Sequence, residues 1–154
     1  GMPHAATQRV HRVVVGFDGS EAATAALDWA ADHAASTGAE VEVVAAWAWP
    51  SGYGASLVIP ADYDPAGDAA GMVARAVEEA RGRHPDVEFV PVVVEGHAAP
   101  VLVEASAGAD LLALGTRGHG EVSGILLGSV SGHCAAHAHC PVLVIGERPP
   151  ARAA

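Results

Sequence analysis

Five short apolar runs alternate along the chain with longer segments in which apolar residues recur every three or four positions. A run such as Val13-Val14-Val15, which stops abruptly at Gly16, is typical of a buried strand. The longer segments have the period of a helix that packs on one side. The pattern predicts strands over Arg12 to Phe17, Glu40 to Trp47, Asp86 to Val94, Ala109 to Leu114 and Pro141 to Ile145. The predicted helices are Ser20 to Thr37, Ala66 to Arg83, Pro100 to Ala107 and Val130 to Ala138.

Regular alternation of strands and helices favours one α/β fold. Parallel strands need crossover connections, and right-handed helical crossovers are the rule. The simplest arrangement is a doubly wound, Rossmann-like sheet of five parallel strands in the order 3-2-1-4-5, with helices on both faces. Pro91 within the third run indicates an edge strand. We expect a single domain over residues 1–154, with its core at about 10–146.

This strand order also predicts where a ligand would bind. The order reverses between the first and fourth strands, and ligands of doubly wound folds bind at such a switch point, beyond the carboxyl ends of the strands. Asp18 follows the first strand and Gly115 follows the fourth. Both are therefore expected at the same crevice, although aspartate at position 18 could also serve only the turn.

A glycine-rich loop between the fourth strand and the last helix has the composition of a phosphate-binding loop. Its glycines and serine are spaced as Gly115, two residues, Gly118, nine residues, then Gly128-Ser129. Glycines allow close approach of the backbone to a ligand, and a helix N-terminus offers N–H groups to an anion. Neither a Walker A loop nor a G-x-G-x-x-G fingerprint is present. The alternative is that the glycines only form turns.

Composition narrows the range of partners. The chain has a net charge of −10, and all eight of its basic residues are arginine. Such a chain has no general attraction for nucleic acid or an anionic membrane, so an anion must be bound locally. No apolar run approaches the ~18 residues of a membrane span, and Gly1 to His4 lack an apolar signal-peptide core. We therefore expect a cytoplasmic protein.

Four segments resemble the universal stress protein family, and the resemblance covers about residues 10 to 146. They are Val14 to Ser20, Ala109 to Leu112, the glycine loop, and His139 to Val144. The resemblance implies a Rossmann-like (adenine nucleotide α-hydrolase-like) fold, ATP as the ligand, a homodimer and a role in the stress response. By position, it implies that Asp18 faces the ribose or adenine and that the backbone of Ala46 lines the adenine pocket. It also implies that the ribose and phosphates are held by Gly115, Thr116, Arg117, Gly118, Gly128, Ser129 and Val130.

The sequence supplies little for catalysis or for a resident metal. His119 and Glu121 are the candidates near the loop for activating water, and both could equally be solvated loop residues. A Mg²⁺ ion could accompany ATP through phosphate oxygens and water. His133 and His137 stand four apart on a helix, but no third and fourth zinc ligand follows at a clear spacing. We expect no dedicated metal site.

Three functions of different classes are therefore compatible with the sequence. The first is a nucleotide-binding regulatory protein that acts as a switch or scaffold, with slow or no hydrolysis. The second is a ligand-free dimeric interaction module, and the third is a nucleotide-using enzyme such as a slow ATPase. In the predicted sheet order the apolar run Pro141 to Ile145 lies at an edge, which invites pairing with a second chain. We expect a homodimer through this last strand.

Overall fold

The structure is a computed structural model that describes residues 11–49, 59–116 and 128–146. Nine elements follow one another in these ranges, with strands and helices in strict alternation. The strands are β1 (Arg12–Gly16), β2 (Glu40–Trp47), β3 (Phe89–Glu95), β4 (Leu111–Gly115) and β5 (Val142–Ile145). The helices are α1 (Glu21–Thr37), α2 (Pro65–Arg83), α3 (Ala98–Ala105) and α4 (Ser129–His137).

All five strands form one parallel sheet in the order β3-β2-β1-β4-β5, which confirms the predicted topology. In register, Val15 of β1 lies between Val43 of β2 and Ala113 of β4. Pro91 lies on β3, at one edge of the sheet, as its missing N–H requires.

Each face of the sheet has its own apolar core. On one face α1 and α2 cover alternate strand residues such as Val13 and Val43, which are fully buried. On the other face Leu102 of α3 and Cys134 of α4 pack against Val14 and Leu112. The helices thus cover both faces, which is the doubly wound architecture.

Most element boundaries differ from the predicted ones by one to three residues, and two of these differences have a clear physical reason. β3 begins at Phe89 and not at Asp86, because a turn closed by the Val87 N–H on the His84 carbonyl, 3.2 Å away, occupies the start of that run. α3 begins at Ala98, which places Pro100 in its first turn. The N–H groups of a first turn have no partner within the helix, so proline is tolerated there.

No helix in the described ranges is long and apolar enough to cross a membrane.

Candidate functional site

Hydrogen bonds within the turn after β1 hold its polar side chains in place. Asp18 Oδ1 accepts a hydrogen bond from the Ser20 N–H at 3.0 Å, and Ser20 Oγ accepts one from the Ala23 N–H at 3.1 Å. Gly19 lies between them with φ +86°, a left-handed backbone conformation that residues with a side chain rarely adopt. The N-terminus of α1 is therefore already capped, and the Asp18 side chain stays exposed at the carboxyl end of β1.

The N-terminus of α4 is different, because no side chain of the described residues caps it. Its N-cap residue is Gly128, in extended conformation (φ −66°, ψ 168°), and glycine brings no capping oxygen. The first N–H groups of a helix lack partners within it, and they carry about half a unit of positive charge together. Within the described part of the chain, the first N–H groups of α4 are thus backbone donors that an anion in the site could use.

Thr116 holds this helix start against the end of β4 through its backbone. Its carbonyl accepts hydrogen bonds from the Gly128 N–H at 2.8 Å and from Ser131 Oγ at 2.7 Å. Its own N–H donates to the Ile145 carbonyl at 2.8 Å, which anchors it to β5. Ser131 is almost fully buried, at 2% exposure. These bonds fix the position of α4 relative to the sheet.

A cavity of about 470 Å³ lies between these two helix starts, at the carboxyl ends of β1, β2 and β4. This volume is in the range of small-molecule sites, which extends from about 300 to 1,000 Å³. It is lined by Gly16, Phe17, Asp18, Ser20, Ala23, Val44, Ala46, Met72, Ala98, Leu102, Leu114, Gly115, Gly128, Ser129, Val130 and Ser131.

On the β2 side of the cavity, Ala46 lies beyond the last hydrogen bond that joins β2 to β1. The Glu40 N–H donates to the His11 carbonyl, and the Phe17 N–H donates to the Val44 carbonyl at 2.8 Å. Even-numbered residues of β2 therefore turn their N–H and C=O toward β1. Ala46 is the next even residue after β1 has ended, so its two polar backbone groups face the cavity.

Six of the nine predicted site residues line this cavity. They are Asp18, Ala46, Gly115, Gly128, Ser129 and Val130. Thr116 does not line it and acts through the backbone bonds described above. Arg117 and Gly118 lie outside the described residues, as do His119 and Glu121.

Much of the apolar lining was missed by the sequence reasoning. Met72, Leu102 and Ala98 line the cavity, and no motif in the sequence marks them as site residues. Met72 lies on the flank of α2, next to the buried stripe formed by Val73 and Val77. Helical periodicity separates a buried face from an exposed one, but it does not show which flank borders a cavity.

The described lining offers binding groups more than catalytic ones. Among its residues Asp18 is the one ionisable side chain, and the other polar side chains are serine hydroxyls. General acid–base chemistry on a phosphoryl group needs a positioned base together with cationic charge. The described arrangement can bind a molecule with an apolar, planar part and an anionic part.

Comparison with known proteins identifies the family. The profile of the universal stress protein family matches residues 9–146. The universal stress protein Rv2624c of Mycobacterium tuberculosis is 34% identical over 141 residues, which cover 88% of this chain and 48% of that protein. The chain thus spans about half the length of this relative.

Two solved structures are similar over most of both chains. One is a universal stress protein in complex with cAMP (26% identity, TM-score 0.67, 92% of this chain and 100% of that one). The other is a universal stress protein from Archaeoglobus fulgidus in complex with dAMP (25% identity, TM-score 0.62, 88% and 97%). With the family profile matching nearly the whole chain, the protein belongs to the universal stress protein family.

Proposed function

We propose that this protein binds an adenine nucleotide in the cavity between Asp18 and the start of α4, and that this nucleotide is ATP. The observation that carries the proposal is the convergence of six residues from distant parts of the sequence on one cavity of about 470 Å³. The complexes of two similar proteins with cAMP and dAMP support an adenine nucleotide as the ligand class.

The cavity offers a distinct partner for each part of the ligand. The N–H and C=O of Ala46 suit the N1 acceptor and N6 donor on one edge of adenine, while Val44 and Leu102 supply apolar contact. The exposed carboxylate of Asp18 can accept hydrogen bonds from ribose hydroxyls. The uncapped start of α4, with the Ser129 hydroxyl, suits the phosphates.

A magnesium ion would reach this site with the nucleotide. Asp18 is the one carboxylate in the described lining, and its Oδ1 already accepts the Ser20 N–H. Mg²⁺ keeps several waters and readily binds through phosphate oxygens, so it needs no carboxylate cluster here. The residues therefore fit a metal–nucleotide complex in which the protein binds the nucleotide.

The biological role we propose is a nucleotide-dependent switch or scaffold with slow or no hydrolysis. A bound nucleotide would join the turn after β1 to the start of α4 and so stabilise the carboxyl end of the sheet. Binding to the folded state alone stabilises a protein by mass action. A protein partner could then distinguish the bound form from the free form.

The direct test is calorimetric titration of the parent and of Gly128→Val with ATP, AMP and cAMP. Gly128 has a φ of −66°, which valine can adopt, so the variant should fold. Its side chain should obstruct phosphate approach and abolish measurable binding. Gly82→Ala, on the exposed part of α2, is the matched control and should bind as the parent does. Equal affinity of Gly128→Val and the parent would show that the site is wrong.

The last strand supports a second proposal, that the protein forms a homodimer through β5. All four of its residues remain partly exposed, and β4 pairs with one side of it. The Leu112 N–H donates to the Pro141 carbonyl and the Thr116 N–H to the Ile145 carbonyl, so odd-numbered residues face β4. Val142 and Val144 then present N–H and C=O groups to the free edge. A two-fold axis would pair this strand with its own copy.

A further inference from the structure

Met72 brings a thioether sulfur to the nucleotide cavity. The residue lies in the first half of α2, is partly exposed, and packs against the apolar core that α1 and α2 share. Its Sδ lies over the turn after β1, since a Cβ on Gly19 would be only 3.0 Å from it. Met72 lines the cavity together with Asp18 and Ser20, the two neighbours of Gly19 in the chain.

The two thiols of the described chain are less suited to oxidation than this thioether. Cys134 is fully buried, and burial raises the pKa of its thiol above the ordinary value of 9.0. Burial also raises the pKa of Cys140, an effect that the nearby Arg12 opposes and Asp110 reinforces. Oxidation of cysteine requires the thiolate and access to it. A thioether needs no deprotonation, and Met72 has open space beside it.

We infer that Met72 is a reversible oxidation site that controls nucleotide affinity, an inference that rests on the proposed function of the cavity. The oxidant is a peroxide such as hydrogen peroxide. A lone pair of Sδ attacks one oxygen of hydrogen peroxide, and the S–O bond forms as the O–O bond breaks. The leaving hydroxide then takes the proton from the oxygen now bonded to sulfur, which gives the sulfoxide and water. The sulfur is oxidised to the sulfoxide, and the peroxide is reduced.

The sulfoxide would add a polar oxygen to the wall of the cavity. Because Sδ lies only 3.0 Å from the position that a Cβ on Gly19 would take, a new oxygen would be accommodated on the side of the cavity or would displace the Met72 side chain. The oxygen is a strong acceptor beside the Asp18 carboxylate, and serine hydroxyls are the only side-chain donors in the described lining. An apolar part of the wall thus becomes polar, and its new oxygen would compete with the ligand for the few donors of the lining.

The test combines peptide mass mapping with calorimetry on the same samples. Protein treated with hydrogen peroxide should gain one oxygen atom on Met72 before Cys134 or Cys140 react, and bound AMP should slow this gain. Mapping also separates Met72 from Met2, which lies outside the described residues. We expect AMP affinity to fall about tenfold on oxidation, the effect of one poorly paired polar group. Methionine sulfoxide reductases should restore it.

Three variants keep the inference falsifiable if the oxidised protein loses its fold. Met72→Leu conserves volume and should bind AMP before and after peroxide with equal affinity. Met72→Gln should bind weakly without any oxidant. Ala76→Gln is the matched control, because Ala76 packs against the same core one helical turn further along and does not line the cavity.

Two results would overturn the inference while leaving nucleotide binding intact. One is an oxidised parent that binds AMP as tightly as the untreated parent. The other is a Met72→Leu variant that loses affinity in peroxide as the parent does. Untreated parent that binds no nucleotide would instead refute the proposed function, and the regulation of affinity with it.

Discussion

Gly115 and Ala22 are in such close contact that the end of β4 and the first turn of α1 leave no room for a side chain between them. A Cβ at position 115 would lie 2.7 Å from Ala22 Cβ, 2.9 Å from the Ala22 carbonyl carbon and 3.0 Å from the Ala23 nitrogen. Two of these three atoms belong to the backbone of α1, which cannot move as a flexible side chain does. The first glycine of the loop is therefore required by packing, whether or not a ligand binds.

We accordingly predict that Gly115→Ala destabilises the free protein. Overpacking that shifts backbone costs about 1–3 kcal/mol, and the shift would move α1 and the cavity wall together. The measurement is urea unfolding without nucleotide. Gly82→Ala is the matched control, since nothing lies within 4 Å of a Cβ there, and it should raise the free energy of unfolding by about 0.5–1 kcal/mol. Equal stability of Gly115→Ala and the parent would contradict the packing argument.

The sheet could be predicted from the sequence because each strand has a recognisable local pattern. Apolar runs such as Val13-Val14-Val15 end at turn residues, and alternation with helices leaves few permitted orders. The shared location of Asp18 and Gly115 followed from that order, since Asp18 lies two residues beyond β1 and Gly115 is the last residue of β4. The sequence does not show which residues of α2 border the cavity, as at Met72, because that depends on how the helix is rotated against the sheet. Nor does the sequence show the hydrogen bonds that the Thr116 carbonyl accepts, because every residue has a carbonyl.

The buried thiols give the protein a pH dependence with a defined sign. Burial raises the pKa of Cys134 above 9.0, and that of Cys140 is raised too. Below pH 9 the thiols keep their protons in the folded and unfolded states alike, so they do not affect stability there. Above pH 9 the unfolded chain ionises first, and the free energy of unfolding falls as the pH rises through the folded-state pKa values. A single group can contribute at most about 1.4 kcal/mol per pH unit to this slope, and Cys140, which is partly exposed, should contribute less than Cys134.

Urea unfolding from pH 7 to pH 11 would measure this loss, with Cys134→Ala as the comparison. The variant leaves a small void and starts from lower stability, because the buried sulfur is gone. Its decline above pH 9 should nevertheless be shallower than that of the parent. Parallel declines of the two proteins would show that Cys134 does not titrate as its burial requires.

The proposed dimer can be tested by removing one backbone donor from the free edge of β5. Val144→Pro deletes an N–H that faces away from β4, so the monomer should keep its sheet while the pairing between chains is lost. Leu143→Pro is the matched change at a residue that faces β4. It removes an N–H that bonds β5 to β4, so it should destabilise the folded monomer. Light scattering reports the mass of each protein. A Val144→Pro dimer as stable as that of the parent would exclude pairing through β5.

ATP hydrolysis should be slow or absent. Phosphoryl transfer combines a metal, cationic side chains and an oriented nucleophile, and the described cavity lining contains no cationic side chain. The free N–H groups at the start of α4 would hold phosphate in the ground state and the transition state alike. Uniform binding of this kind does not raise the rate of the chemical step.

The decisive measurement is single-turnover hydrolysis with protein in excess over ATP and Mg²⁺ present. We expect most of the ATP to be recovered unchanged after the protein has bound it, which leaves the bound form long-lived enough to be recognised by a partner. Arg117, His119 and Glu121, outside the described residues, are the positions from which catalysis would have to come. Complete conversion within seconds, abolished by His119→Ala or Glu121→Ala, would make the protein an enzyme and refute its role as a switch. If conversion were fast but unaffected by either variant, the water would have to be activated elsewhere, and Asp18→Asn would be the next variant to measure, because Asp18 is the one ionisable group in the described lining.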